Sequence, residues 1–101
     1  MNNRVMSLLG IARRAGKLAM GNDMVNDCIK NGESRLILLA SDISPRTAKN
    51  IEFIANEYEV KVMYLNESMD EIGVAIGKRI GIVSVNDAGF AKKVCSLMVN
   101  N

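Results

Sequence analysis

The sequence predicts an α/β chain folded as a three-layer α/β/α sandwich around a small mixed four-stranded sheet. Segments with apolar residues at helical spacing alternate with short apolar runs along the whole chain. The run Leu36-Ile37-Leu38-Leu39-Ala40 has no polar alternation, which marks a strand covered on both faces. Glycine, Ser-Pro and Asn-Asp punctuation separates the segments without a linker, repeat or low-complexity stretch, so residues 1–101 read as a single domain.

The elements follow in order. Val5, Leu8, Leu9 and Ala12 share a helical face, so a first helix runs from about Asn3 to Ala15 and stops at Gly16. Arg13 and Arg14 fall in its last turn, where cations offset the negative end of the helix dipole. A short extended piece, Lys17 to Met20, leads to a second helix that opens at Gly21, turns Val25, Cys28 and Ile29 inward and stops at Gly32. The apolar strand occupies Arg35 to Ala40. Ser44-Pro45 then starts a third helix, because serine caps and proline at the first helical position lacks an N–H that would have no partner there. Ala48, Ile51, Ile54, Ala55 and Tyr58 continue its apolar face. Val60 to Leu65 reads as a second long strand, and Ser68-Met69-Asp70-Glu71 has the capping-box pattern for a short helix carrying Met69, Ile72 and Ile76. Ile80 to Val85 is a third long strand. Asn86 or Asp87 caps a last helix with Phe90, Val94, Leu97 and Met98 on its buried stripe.

Composition narrows the function. With 49% hydrophobic residues in 101, a core can form without disulfide or metal support. There is no histidine, which removes the commonest general base, the usual triads and mixed Cys/His zinc sites, so no enzyme is expected and no metal. Cys28 and Cys95 lie on apolar helical stripes without companion ligands and read as buried, reduced thiols of a reducing compartment. Met1 to Gly21 has no long apolar core and no later run reaches membrane-span length, so a soluble, cytoplasmic protein without a membrane partner is expected. The net charge of +2 is small but unevenly placed. Arg4, Arg13, Arg14 and Lys17 precede the first acid, Asp23, while Glu52, Glu57, Glu59 and Glu67, Asp70, Glu71 gather elsewhere. A bipolar surface with one phosphate-attracting side follows.

Ala12-Arg13-Arg14-Ala15-Gly16-Lys17-Leu18-Ala19-Met20-Gly21 puts cations beside a glycine that opens a helix. A helix start presents unpaired N–H groups and the positive end of the dipole to an anion, and glycine admits close backbone approach. The same residues also suit a solvated basic helix end. Gly73-Val74-Ala75-Ile76-Gly77-Lys78-Arg79 is no phosphate-binding nucleotide loop, since its glycines are too close and Arg79 stands where a Ser or Thr is required. What remains is an exposed basic turn, Gly77-Lys78-Arg79, after a helix stop. Asp42 ends a strand where α/β proteins keep ligands, yet Ser41-Asp42-Ile43-Ser44-Pro45 is good turn chemistry. Met20 and Met24 flank Gly21 and offer an apolar shelf for a base.

The run Ala12 to Leu18 leading to Gly21, then Gly32, then Leu36-Ile37-Leu38-Leu39-Ala40-Ser41-Asp42, and the closing Asn86-Asp87-Ala88-Gly89-Phe90-Ala91-Lys92-Lys93 resemble the kink-turn-binding ribosomal-protein superfamily of L7Ae and L30e, closest to its small bacterial branch. The resemblance implies an α/β/α sandwich that binds a sharply bent RNA duplex without a cofactor. The helix opening at Gly21 would enter beside tandem sheared G·A pairs, and the loop Gly77 to Gly81 would cover a flipped-out base. RNA contacts are then expected from Arg13, Arg14, Lys17, Gly21, Asn22, Asp23, Met24, Lys78 and Arg79. The partners implied are structured RNA, foremost ribosomal RNA, and ribosome or ribosome-assembly proteins. The chain departs from the pattern at the helix start. Where RNA-binding members carry a small residue, Asn-Glu and a later Lys, it has Asn22, Asp23, Met24 and Asp27. Met20 replaces the lysine before the glycine, and the loop Gly77 to Gly81 is shorter than in strong binders. Asp23 accepts but cannot donate as an amide does, and Asp27 sets a negative charge where a cation would face phosphate. High-affinity kink-turn binding therefore does not follow from membership alone, and a protein-interaction adaptor on the same scaffold is the alternative.

Overall fold

A continuously apolar strand needs cover on both sides, and β2 (Leu36–Leu39) has it, every residue being buried. The computed structural model describes residues 4–99. In it β2 lies inside a mixed sheet ordered β1-β4-β2-β3, with β1 (Leu18–Met20), β4 (Ile82–Val85) and β3 (Val62–Tyr64). β4 runs antiparallel to both β1 and β2, pairing Ala19 with Ser84 and Leu38 with Val83, whereas β2 and β3 are parallel with Leu38 opposite Met63.

Strand alternation splits the core in two. Leu36, Leu38, Val83 and Val85 turn to one layer, formed by α1 (Arg4–Arg14), α4 (Met69–Ile76) and α5 (Ala88–Val99), where they meet Val5, Leu9, Ile72 and Val94. Ala19, Ile37, Leu39 and Ile82 turn to the other, formed by α2 (Asn22–Lys30) and α3 (Pro45–Glu57), where they meet Val25, Ile29, Ile51 and Ala55. The result is the expected three-layer sandwich. Ser84, fully buried on β4, donates to Asn86 Oδ1 at 2.6 Å and lies 2.7 Å from Ser34 Oγ, so its polarity is satisfied inside the α2 side of the sheet.

Several boundaries shift. α1 ends at Arg14 rather than Ala15, since Gly16 at φ +74 turns the chain and Lys17 donates back to the Ala12 carbonyl; Asn3, its expected start, lies outside the described residues. β3 is a three-residue edge strand, not a run from Val60 to Leu65, because Val60 still donates to Ala55 at the end of α3. Tyr58 is the C-cap of α3 and half-exposed, so the helical period ran one residue too far. β4 starts at Ile82; Ile80 belongs to the preceding loop. Asp87, not Asn86, caps α5, accepting from the Phe90 N–H at 2.8 Å, while Asn86 donates to Cys28 Sγ. Cys28 and Cys95 are free thiols but only half-buried, on opposite layers. Among the described residues no helix is long and apolar enough to cross a membrane.

Candidate nucleic-acid interface

Gly21 sits between β1 and α2, with its N–H on the Ile82 carbonyl at 3.1 Å and its own carbonyl accepting from Val25. Its φ of 95 and ψ of 158 lie in a region open essentially to glycine alone. The demand is conformational, since a Cβ there would make only ordinary contact with Ile80 at 3.7 Å. A glycine N-cap has no side chain to accept from the first turn, and α2 opens without a side-chain cap. The contrast with the other described helix starts is plain. Ser44 accepts from Thr47 on α3, Ser68 and Glu71 form a reciprocal capping box on α4, and Asp87 serves α5. The first N–H groups of α2, at Asn22, Asp23 and Met24, thus face outward at the positive end of the helix, on exposed residues.

The loop Gly77 to Gly81 comes to this helix start from far along the chain. Gly77 ends α4 in the left-handed region at φ 83. The loop then folds back along α4 so closely that a Cβ on Gly73 would lie 3.2 Å from the Arg79 backbone. Ile80 thereby reaches Gly21, and Gly81 packs on Met69. Through Ile80, Gly21 and this loop become neighbours although they are far apart in the sequence.

The cations have different duties. Arg13 donates through Nη1 to the Ile76 carbonyl, so it caps the C-terminus of α4 rather than only easing its own helix end. Arg79 pairs through Nε with Asp70 Oδ1 at 2.6 Å. Lys78 is exposed and, among the described residues, has no ion-pair partner. Arg14 is exposed on the rim of a shallow groove between α1 and α4 lined by Ser7, Ile11 and Ala75, and Lys17 is exposed at the entry to β1. The loop's reversal also brings Asp70 of one acidic group against Arg79 of the basic turn, a mixing of charge that the sequence did not signal. Met20 is half-buried and packs on the core, which removes it from an exposed shelf, whereas Met24 is 58% exposed. Asp42 is structural. Its Oδ1 accepts from the Met69 N–H at 2.9 Å, a third capped donor at the start of α4. Sequence reasoning missed both arginine partners and the Ile80 contact. Only the glycine at Gly77 signalled a reversal, and nothing local said what the reversal would bring together.

The family model described as Ribosomal protein L7Ae/L30e/S12e/Gadd45 matches residues 3–95. The chain belongs to this family. Among relatives of the L7Ae/L30e/S12e/Gadd45 family, RNA-binding protein YlxQ of Bacillus subtilis is 41% identical over 92 residues, covering 90% of this chain and 91% of that one. Large ribosomal subunit protein eL30 of Candida glabrata is 32% identical, covering 80% of this chain and 79% of that protein. A solved Bacillus halodurans protein described as of unknown function superposes with a TM-score of 0.91 at 32% identity, covering 97% and 99% of the two chains. The family's α/β fold is therefore the fold of this chain, and the Gly21 helix start with its neighbouring loop sits within the matched region.

Proposed function

We propose that this chain is a non-enzymatic, single-domain binder of structured RNA, ribosomal RNA in or about the ribosome, acting in the cytoplasm. The observation that carries the reading is the uncapped start of α2 at Gly21 lying against the folded-back loop Gly77 to Gly81. Gly21 and the N–H groups of Asn22 and Asp23 meet the RNA, Met24 offers its exposed apolar side chain to a base, and Arg14, Lys17 and Lys78 supply phosphate contacts. Arg13 positions the loop, and Arg79 stands at its edge. A bent duplex suits so small a surface, because the bend brings two backbones within reach of one protein face and added contacts offset the cost of bending. The names of the relatives, an RNA-binding protein and a ribosomal subunit protein, support the same reading.

The test is binding of the purified chain to a kink-turn RNA and to a length-matched straight duplex. The expected outcome is tighter binding to the bent RNA. Equal affinity, or none for either, overturns the reading. Exposed Asp27 on the α2 face and the neutralised Arg79 favour one second reading, a protein adaptor on this scaffold, whose signature is a protein partner retained after nuclease treatment.

A further inference from the structure

We propose that Asp70 is an electrostatic brake on RNA binding, holding Arg79 in an internal ion pair and withholding it from phosphate; the inference rests on the RNA-binding reading above. Arg79 Nε lies 2.6 Å from Asp70 Oδ1, with the two side chains 62% and 79% exposed. A pair so open to solvent adds little to stability, so folding alone gives no strong reason for it. Its members are nevertheless held in place by separate devices. Gly73 has no Cβ, which lets the loop lie on α4 and sets the Arg79 backbone beside that helix. Asp70 sits in the first turn of α4, where Ser68, Glu71 and Asp42 accept from the Glu71, Ser68 and Met69 N–H groups, and its own carboxylate bonds to Arg79 instead of to a helix donor.

Arg79 differs from Arg13 in the same way. The Arg13 guanidinium closes the C-terminus of α4 and is tied to the fold, whereas among the described residues the Arg79 guanidinium bonds to a carboxylate alone. A carboxylate and a phosphate compete for the same cation, so the Asp70 carboxylate on Nε offsets the attraction that Arg79 offers a phosphate at this loop. Salt weakens both an exposed ion pair and the pull of a cation on phosphate, so the brake is read most clearly at low ionic strength.

Binding of the full chain to the kink-turn RNA is measured over a salt series for the wild type, Asp70→Asn, Arg79→Ala and the double variant. Asp70→Asn is expected to bind about 2- to 5-fold tighter at low salt. It also steepens the plot of log affinity against log salt by about one unit as Arg79 gains a phosphate. In the Arg79→Ala background the gain disappears. No gain in Asp70→Asn overturns the proposal, as does an equal gain with and without Arg79, which would report a general loss of negative charge. Silence of all four at every salt concentration strikes down the RNA-binding reading itself, and the brake falls with it. Thermal unfolding of each variant reads out helix integrity, and Asp70→Ser repeats the test with a side chain that also suits a helix start.

Discussion

Gly16 and Gly77 both hold a left-handed φ, +74 and +83, yet their surroundings differ. A Cβ on Gly16 would meet nothing within 4 Å, whereas one on Gly77 would lie 2.8 Å from Arg13 Nη1. Gly16→Ala is expected to lose about 1–2 kcal/mol, the cost of placing an L-residue in that conformation. Gly77→Ala bears the same cost and displaces the Arg13 guanidinium from the Ile76 carbonyl, adding about 1 kcal/mol. Urea unfolding of both variants checks this, and equal losses would show that Arg13 does not hold the loop. At this scale the sequence named the glycines and arginines correctly as special. It could not say which was needed for a turn, which for a close approach and which for an ion pair, because those depend on what lies opposite.

Among the elements, α4 carries the loop, and its start is the most heavily capped in the molecule's described part. Glu71 N–H donates to Ser68 Oγ at 3.2 Å, Ser68 N–H donates to Glu71 Oε1 at 2.9 Å, and Met69 N–H donates to Asp42. Ser68→Ala is expected to cost about 1 kcal/mol in thermal or urea unfolding. Asp42→Ala should cost a similar amount, and the pair of changes should depart from additivity because both act on one helix turn. No loss in either variant would remove the caps as the reason for the helix's placement. The capping box was legible because it links residues three apart, while the Asp42 bond spans 27 positions and left no local sign. Edge position explains β3 in the same terms. The mostly apolar stretch Val60 to Leu65, with Lys61 inside it, looks like a long strand, but Val60 still bonds back to Ala55 of α3 and the ladder on its one neighbour spans only Val62–Tyr64.

For the whole molecule, the proposed contacts make charge placement the expected determinant of RNA affinity. Arg13 and Arg79 have internal partners, so the proposed RNA contacts draw on the exposed cations Arg14, Lys17 and Lys78. The wild-type affinity is accordingly expected to fall with salt at a log–log slope of about −2 to −3. Lys78→Ala should flatten that slope by about one unit, while Arg13→Ala should reduce stability and leave the slope in place. A slope unchanged by Lys78→Ala takes that residue out of the interface. The amino-acid sequence by itself determined the alternation of helices and strands, the doubly buried central strand, the caps of α3 and α4 and the glycine that opens α2. All of these depend on neighbours within a few positions, through residue spacing and local hydrogen bonds. The tertiary structure alone decided that Gly21 adjoins Ile80, that Arg13 serves a carbonyl 63 positions away and that Asp70 neutralises Arg79. Those contacts follow from the strand order β1-β4-β2-β3 and the reversal after α4, which bring together groups that no local pattern relates.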